Sequence, residues 1–569
     1  MASSCLQGDS LLFDMSSATE GSPQIFVRRD WLSILDNMNN SYVGNQSIID
    51  TSQLSNSNKY MSYYEGVIIF PLLLTLTGTT AGGAQWLPAT NSTNDYTMGL
   101  KNSLLTMIHS FTLDMNGTTI VQQTPFVNLW NNFCLLTTFN YNDFTEWASI
   151  GFYPDTANSW NYNTTANSNG GGSSNNQNYL TPLNCNTGIG SVTIGNIGFL
   201  KRQQFFNYDP AQGAAVGGSA AGNIFNATAC NNAYKSYMFY KADSTAGSVG
   251  IVQQAIIGQI KLRHLHNFWN EIPLVKGTFF KLTINVNNTS ATFTKAATPT
   301  LVQNSVTCPL GGCNPLMIAS SQANSGSGTN LPADTYIVSL SLGGTCLNTQ
   351  QVGQGAQQST MLRSVMLNVP SYVFNPIFEQ AYISQSAKTI VYNDLYQYQV
   401  LNTLAGQTFN QLITNGIAGI QTVVVIPFYN ASSNGNVTPF QSLFATEGGG
   451  TTSPLCILGN FNVVISGQNA IYNTERFTYE QFTQQLYGMG SVNGGLTNGV
   501  NSGLIDQLAF ENNYNYYAIN VSRMLPIEES VPKSVNIIGT NLTSLAIDMY
   551  VFVNYKTSVT IDVLTGSRV

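Results

Sequence analysis

The chain has 569 residues, more than one hydrophobic core usually organises, so two or more domains are expected. It is 43% hydrophobic and 11% aromatic but only 8% charged, against roughly a quarter in ordinary soluble proteins, so Asn, Gln, Ser, Thr and Tyr must build the polar surface. A net charge of -7 with 20 Lys and Arg leaves no basic footprint and excludes a broad electrostatic grip on nucleic acid, while weak repulsion between copies suits dense assembly or life outside the cell.

The first residues, MASSCLQGDSLLFDMSSATEGSPQ, lack the basic start and long apolar core of a signal peptide, so synthesis without secretion is expected. The longest apolar run, VIIFPLLLTL (67–76), is about half the length that spans a bilayer. It reads as a strand buried on both faces that ends or kinks at Pro71, and IQTVVVIPFY (420–429) reads the same way at Pro427. Helical spacing of Phe126, Leu129, Trp130 and Phe133 predicts a short helix in FVNLWNNFCLLTTF (126–139). Capping-box patterns mark two more helices, with Asp143 and Glu146 in the first and Thr478 and Gln481 in the second.

The first of these capped helices leads into ANSNGGGSSNNQN (166–178) and the second into GSVNGGLTNGVNSG (490–503), both too polar for a core and read as surface excursions. Further on comes IKLRHLHNFWNEIPLVKG (260–277), then FFKLTINVN (279–287), where Phe280, Leu282, Ile284 and Val286 share one strand face. After the second excursion comes YYAINVSRMLPIEESVPKSV (516–535), then AIDMYVFVNYKTSVTIDV (546–563), read as a hairpin broken at KTS. The order repeats: short helix, polar loop, alternating strand, proline turn, final alternating strand. Two tandem β-sandwich domains follow, 1–295 and 296–569, divided near residue 295 in the small-residue stretch that begins TKAATPT.

The chemical candidates are weak. His264 and His266 would share a strand face and could offer two imidazoles to a metal, but zinc needs a third protein ligand. His109 is the only other histidine, and Glu271 lies beyond the strand. Ile260 and Leu262 continue the same apolar stripe, and the matching stretch of the second half has no histidine, so hydrogen-bonded or partly exposed strand histidines are expected. GIGSVTIG (188–195) lacks the GK[ST] of a phosphate loop, no G-x-S-x-G elbow occurs, and Glu528 and Glu529 read as a solvated turn. No zinc-ribbon Cys-x-x-Cys occurs; Cys308 and Cys313 in CPLGGC could close a small disulfide or stay free. The sequons at Asn116, Asn163, Asn226, Asn430 and Asn541 carry little weight in so Asn- and Thr-rich a chain. No catalytic, cofactor-binding or metal residue is assigned, and no cofactor is expected. Aromatics spread along the whole chain favour protein interfaces over a sugar site.

Three stretches carry a family resemblance: NQSIIDTSQLSNSNKYMSYYEGVIIFPLLLTLTG (45–78), IKLRHLHNFWNEIPLVKGTFFKLTINVN (260–287) and IDMYVFVNYKTSVTIDVLTGSRV (547–569). They resemble the major capsid proteins of virophages and polinton-like viruses, at the start, middle and end of the chain. The resemblance implies a mostly β fold of two eight-stranded jelly rolls with a few short helices and long surface loops. It also implies homotrimers of pseudo-hexagonal outline that tile an icosahedral shell around double-stranded DNA. Expected partners are the chain itself, neighbouring trimers, penton and minor capsid proteins, with no sequence-specific nucleic-acid binding; contact with an internal membrane or host surface is open. The expected location is the virion. The alternative is a secreted or surface-displayed β-sandwich adhesin or carbohydrate-binding protein.

Overall fold

The computed structural model describes residues 24–55, 58–79, 98–155, 238–241, 250–295, 301–311, 313–318, 334–343, 364–430, 456–471, 476–489, 502–512, 514–522 and 530–568. Its first sandwich is built on β1 (Phe26–Leu35), β2 (Gln46–Asp50), β3 (Val67–Thr79), β4 (Ile108–Met115), β5 (Thr118–Val121), β6 (Gly250–Lys261) and β7 (Phe280–Val286). Three further strands, β8 (Thr289–Lys295), β9 (Leu301–Thr307) and β10 (Asp334–Leu342), precede β11 (Met366–Phe374). The second sandwich runs through β12 (Ala387–Thr403), β13 (Thr408–Ile417), β14 (Ile420–Tyr429), β15 (Leu458–Ile465), β16 (Gln468–Asn469), β17 (Tyr517–Asn520), β18 (Lys533–Asn541) and β19 (Ile547–Asp562).

Strand order reveals the plan. In the second sandwich one sheet is β12-β19-β14-β17 and the other β13-β18-β15-β16, all antiparallel. Counted along the unit, that is order 1-8-3-6 facing 2-7-4-5, the winding of a jelly roll. The first sandwich repeats it: β1-β11-β3-β6 on one side and β2-β7-β4-β5 on the other. The chain is a double jelly roll.

Among the described strands, an insertion distinguishes the two rolls. Where β18 leads straight to β19, the first roll runs from β7 through β8, β9 and β10 before reaching β11. The eighth position beside β3 is therefore filled by two strands end to end. β11 pairs with Val67–Ile69, and β10 pairs with Leu72–Thr79. Pro71 stands at the join. Its carbonyl accepts from Gly343 N at 2.7 Å, and N–H and C=O of a strand residue point to the same side, so its missing donor falls where neither strand needs it. β3 runs through Pro71 and β14 through Pro427, so neither proline ends its strand as expected.

The expected division at residue 295 is corrected by this pairing. Residues 295 and 301 are the facing ends of the β8–β9 hairpin, both in the first roll's sheet. Sheet membership changes between Phe374 and Ala387, in the segment holding helix Pro376–Ile383. The reading of FFKLTINVN as a final strand was the source: it is β7, the counterpart of β18, and the insertion hides the true eighth strand. The expected hairpin at the end of the chain is likewise one continuous strand, β19, because Asn393 and Lys556 pair across the KTS stretch without a break.

Helices fill the connection after the fifth strand of each roll: α1 (Val127–Thr138) and α2 (Phe144–Ile150) in the first, α3 (Tyr479–Met489) in the second. Gln481 caps α3 as the sequence suggested, accepting from Thr478 N at 3.3 Å. Near α2 the box sits one turn earlier than expected, between Asn140 and Asp143, which leaves Glu146 for another task. The polar stretch 166–178, most of 490–503, GIGSVTIG and Glu528–Glu529 lie outside the described residues. One apolar cluster runs through both rolls without a break.

Candidate functional site at the seam of the two rolls

The residues singled out for chemistry lie where the rolls meet. β6 ends at Lys261, and Leu262–Leu265 is a helical turn followed by a second, Phe268–Glu271. His264 is thus helical and His266 extended, so the two do not share a strand face. This corrects the geometry on which a shared metal site would have rested. His264 lies edge-on to Phe139, and burial together with the Arg263 charge pushes its pKa down to about 3. His266 accepts the Phe268 amide on Nδ1 at 3.1 Å and packs against Phe111 and Tyr392. Its Nε2 lies 3.4 Å from Asp394 Oδ1, outside hydrogen-bond alignment. His109 sits edge-on to Phe126, and burial pushes it down to about 4. Glu271, at the end of the second turn, is exposed. Among the described residues no three His, Cys, Asp or Glu side chains gather as a metal site would require.

What the segment does is join the rolls. Asn267 Oδ1 accepts from Asn393 N at 2.9 Å, and Thr124 Oγ1 donates to Leu395 O at 3.0 Å. Both bonds satisfy the outer edge of β12, whose other edge pairs with β19. Tyr392 stacks edge-on to Phe268 and donates its hydroxyl to Ile120 O at 2.6 Å. Above them α1 lies on the outer face of the β12-β19-β14-β17 sheet, Phe126 against Tyr550, Trp130 against Phe552 and Phe133 against Tyr516. A cleft of ≈ 440 Å³ remains between these parts, lined by Trp130, Asn131, Phe139, His264, His266 and Asn554 among others.

Charge is spent sparingly and locally. Glu146 of α2 binds Lys261 and, at 2.7 Å, Arg263, whose guanidinium also lies over Tyr64. Burial raises the Glu146 carboxyl, but the Lys261 hydrogen bond and the Arg263 charge outweigh it and hold the group below its ordinary range. At the other end of the seam, Lys276 N donates to Val563 O at 2.9 Å and Asn116 Nδ2 donates to Gly566 O. Gly566 adopts φ +67° with Thr278 so close that a Cβ would lie 2.5 Å from its backbone.

Cys308 and Cys313 are free thiols, facing Thr289 and Asn128. Asn541 is no glycan acceptor in this fold: it is fully buried and its Nδ2 donates to Thr403 O, Leu404 O and Leu545 O.

The sequence reading missed the seam residues themselves. Its usable signal was in β19, where Tyr550 and Phe552 are apolar on the face opposite Met549, Val551 and Val553. A strand apolar on both faces needs a cover on each.

No family model matches the sequence, and no curated protein is detectably similar to it. Solved structures do align over nearly the whole chain. A chain of the Sputnik virophage structure aligns with TM-score 0.46 at 11% identity, covering 97% of this chain and 89% of that one. The mavirus major capsid protein gives 0.43 at 12% identity, covering 97% and 91%, and the Faustovirus major capsid protein gives 0.39 at 11%, covering 95% and 91%.

Proposed function

We propose that this chain is the major capsid protein of a virus of the virophage and polinton-like group, a structural subunit with no catalytic role. The observation that carries the reading is the doubled jelly roll, two copies of one strand order fused through a common core. The three stretches that resemble the family fall on its frame: 45–78 covers β2 and β3, 260–287 covers the seam turns and β7, and 547–569 covers β19. Two similar rolls per chain give a homotrimer six similar lobes, hence a pseudo-hexagonal tile for a closed shell. Partners are then other copies, neighbouring tiles, and penton and minor proteins, around a double-stranded DNA genome that the weakly charged chain does not read. The two domains of this reading divide between Phe374 and Ala387.

The test is assembly of the purified full-length chain. Light scattering should give the mass of three copies, and negative-stain images should show hexagonal outlines or shells. A chain that stays monomeric at every concentration would sink the reading, and glycan binding by that monomer would establish the adhesin alternative.

A further inference from the structure

The two rolls present the same sheet to different surroundings. In the second roll the outer face of β12-β19-β14-β17 is buried where α1 lies on it, while Val391 farther along β12 on the same face is 42% exposed. Leu395, Asn554 and Thr422 stand in one cross-strand row and Gln397, Phe552, Val424 and Ala518 in the next. Phe552, Val424 and Ala518 are 0% exposed. The cover is the first roll, through α1, and the first roll also binds the β12 edge through Asn267 and Thr124.

In the first roll the equivalent sheet is β1-β11-β3-β6. Its inner row, Ile34, Leu367, Ile68 and Ile260, is fully packed. Its outer row is Leu35, Met366, Ile69 and Gln259, and two residues along β1 on the same face is Ser33, then Trp31 opposite Pro370. Here Trp31 is 54% exposed, Leu35 60% and Ile257 48%. Among the described residues, only the β6 end has a cover within the chain, where α2 holds Lys261 through Glu146 and Ser149 O accepts from Gln259. Among the described strands β1 pairs with β11 alone, as β12 pairs with β19 alone.

We infer that the outer face of β1-β11-β3-β6, with Trp31 and Leu35 on its edge strand, docks the second roll of another copy of this chain. The argument is continuity: one roll already covers this sheet's counterpart inside the chain, and the same head-to-tail contact applied between chains buries the remaining face. Contacts of this kind close into a ring rather than a two-fold dimer. A large aromatic beside apolar neighbours on an otherwise polar surface is what anchors such an interface. The inference rests on the reading of the chain as a self-assembling subunit and adds to it which face is used.

The experiment compares full-length wild type, Trp31→Glu/Leu35→Glu and the control Leu412→Glu, whose side chain is exposed on β13 in the opposite sheet of the second roll. Sedimentation velocity over a concentration series should show a wild-type trimer, unchanged in the control and weakened at least ~30-fold in the double variant, the effect of losing an interface anchor. Hydrogen exchange on wild type, trimer against dilute monomer, should show β1 and β11 gaining protection on assembly; this arm holds even where the double variant misfolds. A wild-type trimer with an unweakened double variant, or with protection gained only elsewhere, overturns the assignment of this face and leaves the proposed function standing. A wild type that never leaves the monomer overturns both.

Discussion

His109, His264 and His266 are each held against aromatic rings, and the first two are kept neutral by burial. The unfolded chain binds a proton at an ordinary histidine below about pH 6.5. The folded chain cannot do so until about 4 at His109 and about 3 at His264. Their stabilising effect is therefore complete above pH 6.5 and is lost as the pH falls toward those values, by on the order of 2–3 kcal/mol for His109 and less for the half-buried His264. Glu146, whose folded value is depressed, loses its contribution only in the carboxylate range below pH 4.5, so between pH 6.5 and 5 its contribution is intact while the histidines act. Urea unfolding between pH 7.5 and 5 should show stability declining more steeply in wild type than in His109→Gln/His264→Gln. Parallel slopes would count against the burial assigned to these rings.

At the scale of elements, α1 is the piece that makes two rolls one body. Trp130 is almost wholly enclosed between its own roll and Phe552. Trp130→Ala should cost about 3 kcal/mol, read as a lower urea midpoint with the far-ultraviolet spectrum retained. A loss under 1 kcal/mol would mean the helix is a bystander. α1 was legible because Phe126, Leu129, Trp130 and Phe133 fall at helical spacing. The turn holding His264 was not, because Ile260, Leu262, His264 and His266 alternate as a strand would. Nothing in four residues of alternating pattern distinguishes a strand from a strand that stops at Lys261; in the fold the bond from Leu262 N to Gly66 O at 2.9 Å is the last of the ladder before the chain turns. β3 and β14 were both recognised as buried strands, yet the shared V-I-I-F-P and V-V-V-I-P were not matched as the third strand of each roll. That match is the internal repeat in its plainest form.

For the molecule as a whole, the mostly β character and the twofold plan were readable from alternation and from the repeated order of helix, loop and strand. The boundary was not, because residues 287–365 are inserted before the closing strand of one roll only, and an insertion made of strands looks like the start of a new domain. The continuity of the core across the seam predicts that the intact chain unfolds in one cooperative thermal transition, despite a length that usually holds independent domains. Two calorimetric peaks would show that the seam is weaker than its contacts suggest.

The closing strand of the first roll has a consequence in time. Among the described strands β1 finds its one partner in β11, and Ser33 bonds Asn368 across 335 residues of chain. At ordinary rates of synthesis that separation is a wait on the order of 20–70 s. During the wait Phe70, Leu72 and Leu74 of β3 have one flank without its final neighbour, since β10 and β11 are both made late. The nascent chain is thus sticky for longer than its finished form would suggest, and its yield in a host depends on how well chaperones shelter that interval.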